Sequence, residues 1–309
     1  MRGTGRRPRG VCVVERRAVW VEAARPRTLP AAVVPVAVGS AIAHADGAFE
    51  WRAFALALVG ALAIQISANF ANDVSDARRG ADTTDRLGPQ RMVASGLITP
   101  SQMWIATWLA IAVAAACGIG LTLIAGPLVL VIGLASIVAM LGYVGGPLPY
   151  GYKGLGELFV FVFFGLVATV GSRYAHDGSV PALAWLLAVP VGLLATAILV
   201  INNLRDLETD ARAGKRTLVV IVGTVSGRRL FGLLICGAYL MVAGVVVARM
   251  ATVWLLLAWL TAPLGYRLAT RVAAADDPAE LRPALGQTAR LHLLFGLLLA
   301  VGIILGGSG

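Results

Sequence analysis

Long apolar stretches alternate with short polar ones along almost the whole chain. A membrane-spanning helix needs about 20 apolar residues, within a range of about 17 to 25. The stretches of about this length predict nine membrane-spanning helices, at 28–45, 52–71, 102–119, 121–143, 155–173, 182–203, 229–248, 250–270 and 290–307. The spacing also predicts two tight turns, at the Gly-Ile-Gly of 118–120 and at Arg249-Met250.

The composition places the chain in a membrane. Of its 309 residues, 58% are hydrophobic and only 14% are charged, whereas soluble domains carry about 25% charged residues. We therefore predict an all-α polytopic membrane protein. Residues 1–22 are Arg-rich and read as a disordered cytoplasmic tail, and residues 23–309 read as a single transmembrane domain.

The net charge of +10 predicts an orientation rather than a nucleic-acid partner. With the N-terminus inside, the tail and the inner loops hold 23 of the 26 Lys and Arg residues. The opposite side holds the other three, Arg52, Arg173 and Arg249. Because basic loops stay in the cytoplasm, this pattern predicts an N-in, C-out protein whose chemistry takes place at the cytoplasmic face. The richness in Arg and Ala hints at a bacterium of high GC content, so we expect the membrane to be a bacterial cell membrane.

The first polar cluster lies at the end of the second predicted helix, and we call Asn69–Asp76 the first acidic motif. Asn69, Asn72, Asp73 and Asp76 follow i, i+3, i+4, i+7 spacing and so share one helical face. Carboxylates at the mouth of an apolar helix are typical of a divalent-metal site. The alternative is a hydrophilic loop that happens to be acidic.

A similar cluster follows the sixth predicted helix, and we call Asn202–Asp210 the second acidic motif. Asn202, Asp206 and Asp210 lie at i, i+4, i+8, again on one helical face. The two motifs are four helices apart, which favours two pseudo-repeated four-helix halves plus a ninth helix. Two facing acidic surfaces repel each other unless cations lie between them, and Mg²⁺ prefers carboxylates, waters and phosphate oxygens.

Basic and aromatic side chains lie on the same predicted side as both motifs. The basic residues are Arg91, Lys153, Lys215 and Arg216. Together with a metal they suit a diphosphate that must be held and neutralised as it leaves. One Gly- and Pro-rich segment carries Tyr143, Tyr150 and Tyr152. An aromatic face can stabilise a cation, which we expect of one of these tyrosines at most, since tyrosine is also ordinary at a membrane boundary.

Four segments resemble the intramembrane aromatic prenyltransferases of the UbiA superfamily, and nearly the whole chain shares the likeness. They are ARPRTLP at 24–30, NDxxD at 72–76 with GAD at 80–82, YVGGPLPYGYKGLGE at 143–157, and NNLRDLETDARAGKRTL at 202–218. The third segment resembles the branch that prenylates 1,4-dihydroxy-2-naphthoate in menaquinone synthesis.

The resemblance implies a fold, a cofactor and a set of site residues. Nine helices would surround a central cavity that binds a polyprenyl diphosphate and 1,4-dihydroxy-2-naphthoate. The implied Mg²⁺ ligands are Asn69, Asp73, Asp76, Asp206 and Asp210. The implied catalytic residues are Asp73, Asp76, Asp206, Asp210 and Lys153. The implied substrate-binding residues are Asn69, Asn72, Arg91, Tyr143, Tyr150, Tyr152, Asn202, Lys215 and Arg216.

One spacing differs from many members of the superfamily, whose first motif reads NxxxDxxxD. Residue 77 is Ala here, so the last ligand of the motif is Asp76, with Asp82 as the alternative.

The implied reaction is Mg²⁺-dependent transfer of the polyprenyl group to the naphthoate ring, with loss of CO₂ and diphosphate, giving a demethylmenaquinol. One alternative is another acceptor of the same superfamily, 4-hydroxybenzoate or homogentisate. The alternative from a different class is a cation-coupled secondary transporter, in which Asp and Asn side chains bind the coupling ion. Transporter sites lie near the middle of the bilayer, whereas both acidic motifs here lie at a predicted membrane edge.

Overall fold

The computed structural model describes residues 16–79, 88, 91–145 and 149–307. Regular structure in these ranges is helical. The α-helices are α1 Arg16–Ala24, α2 Pro30–Ala45, α3 Trp51–Arg78, α4 Pro100–Ala125, α5 Leu128–Val144, α6 Gly156–Val160, α7 Ala168–Asp177, α8 Ala182–Arg205, α9 Leu207–Arg212, α10 Leu218–Val247, α11 Ala262–Ala274 and α12 Ala284–Gly306. The 3₁₀ segments are Pro26–Thr28, Tyr150–Tyr152, Val253–Thr261 and Pro278–Leu281, and Phe161–Val167 is a π-helical segment.

Helix α8 runs through the centre of the bundle. Its side chains Leu187, Val191 and Leu194 are fully buried, in one core cluster with residues of α2, α10 and α12. Helices α3 and α4 pack along each other, as do α2 and α12. Each helix satisfies its own backbone hydrogen bonds, which an apolar chain must do in lipid because no water is present there.

The structure confirms an all-helical, multi-pass membrane protein. Among the described residues, six helices are long and apolar enough to cross a membrane. A seventh span results if the bent pair Arg17–Thr28 and Pro30–Ala45, which meet at 54°, is counted as one. The predicted span 121–143 corresponds to the shorter helix α5, and 250–270 is divided between a 3₁₀ segment and α11. The count of nine, the two halves and the N-in, C-out orientation stay predictions.

One predicted turn is wrong and the other is confirmed. Helix α4 continues through Gly118 and Gly120 and turns only at Gly126, which has a φ of 84°. Gly120 serves close packing instead, because a Cβ there would lie 3.0 Å from Leu56 Cδ1. Arg249, with a φ of 56°, does form the tight turn after α10.

Helix α1 crosses the boundary that the sequence predicts at residue 22. The part of the predicted tail before residue 16 lies outside the described residues. From Arg16 onward the chain is helical, and Val19 and Ala23 are buried against α3, where Trp20 meets Phe70 edge to face. These apolar side chains of α1 therefore bury against the bundle, and the domain boundary at residue 22 stays a prediction.

Candidate active site

The first acidic motif occupies the last three turns of α3, and three of its four polar side chains that share one helical face are buried. Asn69, Asp73 and Asp76 are each less than 5% exposed. The amide of Asn69 donates to the Ala24 carbonyl oxygen at 2.8 Å and to Thr28 Oγ1 at 3.0 Å. The motif is thereby tied to the connection between α1 and α2, which forms one wall of the site.

Asp73 and Asp76 accept hydrogen bonds from different kinds of donor. The Asp73 carboxylate accepts the backbone N–H groups of Met92 at 3.2 Å and Val93 at 3.0 Å. The Asp76 carboxylate accepts a guanidinium N–H of Arg91 at 2.7 Å. Asp73 therefore fixes the backbone of Met92 and Val93, and Asp76 pairs with the preceding residue, Arg91.

The second acidic motif lies where α8 ends and α9 begins. Arg205 binds both carboxylate oxygens of Asp206, at 2.8 Å and 2.7 Å, and also donates to Asn202 Oδ1 at 2.9 Å. Lys215 Nζ lies 3.5 Å from Asp210 Oδ1. These four charged side chains are all less than 9% exposed, so each carboxylate has a cation at close range, as buried charges require.

Tyr152 connects the first acidic motif to Lys215 and Arg216, which follow the second motif in the chain. Its hydroxyl donates to Asp76 Oδ1 at 2.7 Å, and its ring lies 5.4 Å from Lys215 Nζ and 4.5 Å from the Arg79 guanidinium. Its carbonyl oxygen accepts the backbone N–H of Arg216 at 3.2 Å. Burial, reinforced by the Asp76 carboxylate, raises the pKa of Tyr152 well above its ordinary value, so the hydroxyl stays protonated and keeps donating.

A cavity of about 230 Å³, which we call the main cavity, runs from the two motifs into the bundle. Its polar end is lined by Arg25, Thr28, Gln65, Asn69, Asn72, Asp76, Arg91, Asn202 and Lys215. Its body is apolar and aromatic, lined among others by Met140, Tyr143, Tyr150, Phe159, Phe163, Phe164, Ile198 and Leu199. A charged end that opens into an apolar body suits an amphipathic ligand with an anionic head.

The aromatic wall is ordered by ring stacking. Tyr150 stacks on Phe159 at 3.8 Å between ring centroids and meets Tyr143 edge to face at 5.5 Å. The Tyr150 hydroxyl donates to the Ala139 carbonyl oxygen, and burial raises the pKa of Tyr150. Phe163 belongs to the π-helical segment, and such segments are frequent at functional sites.

A second cavity of about 160 Å³ adjoins the polar end. Its charged lining comprises Glu22, Arg25, Arg27, Asp73, Arg91 and Arg205. Four arginines and two carboxylates line this chamber, and two of the arginines, Arg91 and Arg205, are paired with Asp76 and Asp206. It shares Arg25, Thr28, Arg91, Asn202 and Leu285 with the main cavity.

The structure gathers most, but not all, of the predicted site residues around these cavities. Asn69, Asn72, Asp76, Arg91, Tyr143, Tyr150, Asn202 and Lys215 line the main cavity, and Asp73 lines the second. Asp206, Asp210, Tyr152, Lys153 and Arg216 line neither. Lys153 and Arg216 are exposed on adjacent loops. The alternative ligand Asp82 lies outside the described residues.

The oxygen donors present fit a divalent cation. Asp76, Asn69, Asn72 and Asn202 bring carboxylate and amide groups to one end of the main cavity, and these are the hard ligands that Mg²⁺ takes. Among residues 16–79, 88, 91–145 and 149–307, no three His, Cys, Asp or Glu side chains form a ready-made metal cluster. The donor set is therefore mixed, with asparagines and carboxylates rather than carboxylates alone.

Sequence reasoning missed several lining residues. Arg25, Gln65, Phe159 and Phe163 line the main cavity, and Arg205 braces Asp206. Arg25 lies inside the ARPRTLP segment and Arg205 inside the second acidic motif, so membership in these motifs could have indicated both residues as site candidates. Gln65 had a signal too, since it lies one turn before Asn69 on the same helical face.

Comparison with known proteins assigns the chain to a family. The model of the UbiA prenyltransferase family matches residues 32–305, which contain both acidic motifs. This chain belongs to the UbiA prenyltransferase family. The predicted resemblance and the prediction of a prenyltransferase are confirmed.

Relatives and solved structures agree with this assignment over nearly the whole chain. The 1,4-dihydroxy-2-naphthoate octaprenyltransferase of Mycobacterium tuberculosis is 42% identical over 292 residues, covering 94% of this chain and 98% of the relative. The Escherichia coli protein of the same name is 39% identical over 299 residues, covering 94% and 97%. A UbiA homologue from Archaeoglobus fulgidus, solved with GPP and Mg²⁺, matches with a TM-score of 0.61 at 16% identity, covering 93% and 99%.

Proposed function

We propose that this chain transfers a polyprenyl group from a polyprenyl diphosphate to 1,4-dihydroxy-2-naphthoate, with loss of diphosphate and CO₂, at the cytoplasmic face of a bacterial cell membrane. The observation that carries the proposal is the main cavity, in which a carboxylate and cation end opens into an aromatic, apolar body. The acceptor follows from relatives of that name at 42% and 39% identity. The product would be a demethylmenaquinol.

The charged end of the main cavity suits the diphosphate. Arg91 and Lys215 are buried there, 8% and 7% exposed, and both line the cavity. Buried cations are less screened than exposed ones, so they stabilise the negative charge that grows as the allylic C–O bond breaks. Lys153 and Arg216 lie on the exposed loops beside this end, where they would act on the diphosphate as it enters or leaves.

A divalent cation would be held by Asn69, Asp73 and Asp76 from the first acidic motif and by Asp206 and Asp210 from the second. Asn72 and Asn202 would offer further oxygen donors. When bound, Mg²⁺ supplies further positive charge to the diphosphate oxygens. Arg91 and Arg205 now pair with Asp76 and Asp206, so the chain already balances the charge of both motifs. The same guanidiniums are in place to turn toward phosphate oxygens.

The aromatic body suits the carbon chain and the cation that ionisation produces. Tyr143, Tyr150 and Phe159 present ring faces and edges to the main cavity. Ring faces attract a cation, and the apolar lining excludes the water that would otherwise quench it. The ring carbon of the acceptor that bears the carboxylate then donates its electron pair to form the new C–C bond. Loss of CO₂ returns the electron pair of the C–C bond it leaves, which restores the aromatic ring.

One assay tests the reaction and the acceptor together. Membranes containing the protein are incubated with Mg²⁺, radiolabelled polyprenyl diphosphate and one aromatic acid at a time: 1,4-dihydroxy-2-naphthoate, 4-hydroxybenzoate or homogentisate. We expect labelled quinol only with the naphthoate, and ¹⁴CO₂ when its carboxyl group carries the label. Transfer to another acid would replace the proposed acceptor, and absence of transfer to any of them would overturn the proposal.

A further inference from the structure

The connection between α1 and α2 contains an arginine in an unfavourable backbone conformation. Arg25 has φ 53° and ψ 70°, in the left-handed region. Among the described residues, Arg25 and Arg249 are the non-glycine residues with positive φ. This region is disfavoured for residues with a Cβ, which crowds the following carbonyl oxygen. Strained residues of this kind cluster at functional sites.

The surrounding hydrogen bonds hold Arg25 in this conformation. Its N–H donates to the Glu22 carbonyl oxygen at 3.1 Å, and its own carbonyl oxygen accepts the Thr28 N–H at 2.9 Å and the Thr28 hydroxyl at 3.0 Å. The residue before it, Ala24, accepts the amide of Asn69 at 2.8 Å. The first acidic motif therefore helps to fix the turn that sets the direction of the Arg25 side chain.

The strained turn aims the side chain at the cavities rather than at the following helix. Arg25 makes no side-chain capping hydrogen bond to the 3₁₀ segment that it precedes. It lines both the main cavity and the second cavity, and Arg91 does the same. A planar guanidinium presents several N–H groups in a fixed fork, which matches anions with two or more oxygens. The second cavity adds the guanidiniums of Arg27 and of Arg205, which is paired with Asp206, so an anion at this boundary lies near several N–H donors.

We propose that Arg25 binds an anionic oxygen group of a substrate at the boundary between the two cavities, and that the left-handed turn is retained to aim it there. This inference rests on the proposed function, which supplies two sources of that chemistry. One is the diphosphate of the prenyl donor, and the other is the carboxylate of the aromatic acceptor. A residue with this role contributes to substrate binding without being a metal ligand.

The backbone strain offers a test that separates binding from folding. Glycine adopts positive φ readily, so Arg25→Gly removes the side chain and relieves the strain in one change. Arg249→Gly is the matched control, because Arg249 is also left-handed but is exposed in the turn after α10. We expect both variants to unfold at the parent temperature or above it. Arg25→Lys keeps the charge but loses the guanidinium fork.

Two readouts locate the anion. In steady-state kinetics, Arg25→Gly is expected to raise KM at least about tenfold for one of the two substrates, since charge-assisted hydrogen bonds have this magnitude. In the absence of turnover, the purified protein is heated with inorganic pyrophosphate and, separately, with 1,4-dihydroxy-2-naphthoate. Loss of the pyrophosphate-induced rise in unfolding temperature assigns Arg25 to the diphosphate, and loss of the naphthoate-induced rise assigns it to the carboxylate. Arg249→Gly keeps both rises.

The inference is overturned if Arg25→Gly keeps the parent KM for both substrates and both thermal shifts. If Arg25→Gly does not fold, Arg25→Gln, which removes the charge, decides by the same measurements, and parent values for it overturn the inference. The parent protein is assayed alongside. Failure of the parent to prenylate the naphthoate refutes the proposed function, whereas the pyrophosphate shift still tests Arg25 as an anion-binding residue.

Discussion

The carboxylates of the first acidic motif have separate tasks, although they lie on one face of α3. Asp73 accepts two backbone N–H groups, so replacing it would disturb the segment after α3 as well as the site. Asp76 accepts side-chain donors, Arg91 and Tyr152, and lines the main cavity. Asp76 is therefore the better residue for testing the proposed metal and diphosphate site.

We predict that Asp76→Asn lowers prenyl transfer at least about 100-fold, because the loss of a carboxylate removes charge that the proposed Mg²⁺ site needs. Initial rates are measured over a series of Mg²⁺ concentrations. Asp46→Asn is the control, since Asp46 also pairs with an arginine, Arg173 at 2.8 Å. Asp46 lies near the start of α3, whereas the first acidic motif lies at its end. Parent activity in folded Asp76→Asn would contradict the assignment of this residue.

Tyr152 lines neither cavity. Its contacts with Asp76 and Lys215 favour a role as a positioning residue for these two side chains. We predict that Tyr152→Phe lowers kcat/KM about tenfold, because it removes a hydrogen bond to a charged group, and raises the Mg²⁺ concentration needed for half-maximal rate.

Tyr239→Phe provides the control for this change. This control variant also loses a buried hydroxyl contact, the one at 2.7 Å between Tyr239 and Thr261. Tyr239 lines neither cavity. Because the pKa of Tyr152 is raised, its hydroxyl remains protonated up to at least its ordinary range near pH 10. The alkaline side of the pH–rate profile should therefore be the same in Tyr152→Phe and the parent. A shifted alkaline limb in the variant would contradict this reading.

At the scale of elements, the aromatic wall of the main cavity depends on one close contact between helices. The Gly165 backbone lies in the π-helical segment, against Gly192 of α8. A Cβ on Gly165 would lie 2.5 Å from the Gly192 Cα and 3.1 Å from the Ala188 carbonyl oxygen. Small residues at such crossings let backbones approach closely. The contact keeps Phe163 and Phe164 beside the cavity.

We predict that Gly165→Ala destabilises the protein by about 1–3 kcal/mol, as overpacking does, since the atoms that the new methyl group meets are backbone atoms. Gly232→Ala is the control, because a Cβ at Gly232 of α10 meets nothing within 4 Å. Thermal unfolding in detergent is measured for both variants, and we expect the control to match or exceed the parent. Equal unfolding temperatures for both variants would contradict this prediction, because they would show that the two helices accommodate the added methyl group with no loss of stability.

A polar network fixes α2 to α7 at the end of the bundle away from the acidic motifs. Arg173 is 2% exposed and donates to Asp46 at 2.8 Å and Asp177 at 2.7 Å. His176 accepts the Glu50 N–H at Nδ1, 2.9 Å away, so its Nε2 carries the proton toward Ser40 Oγ. His176 and Asp177 follow Arg173 in the chain, and Arg173 is predicted to lie on the side opposite the basic loops. The network gives them a structural role in joining two helices.

At the scale of the whole molecule, the orientation in the membrane decides which compartment supplies the substrates. We predict that Met250→Cys is labelled by a membrane-impermeant maleimide in spheroplasts, and that Ala94→Cys is labelled only after permeabilisation. Both positions are exposed in the structure, and the native Cys12, Cys117 and Cys236 are first replaced by Ser. The reverse labelling pattern would overturn the N-in orientation and move the proposed site to the other face.

The sequence by itself determined the membrane class, the helical fold and the two acidic motifs. In lipid an apolar run of spanning length forms a helix, because a helix satisfies its backbone hydrogen bonds within itself. Residues spaced by three or four along a helix share one face. The placement of Asn69, Asp73 and Asp76 on one face of α3 followed directly. Local spacing carried this information, so no tertiary contact was needed to read it.

Only the tertiary structure decided which side chains meet. It paired Asp76 with Arg91 and Tyr152, placed Lys153 on an exposed loop, and put Arg25 on the boundary between two cavities. It also showed that α4 continues through Gly118 and Gly120, because a glycine that permits close packing and one that permits a turn look the same in a sequence. Contacts between residues far apart in the chain depend on how whole helices pack, which no local pattern specifies.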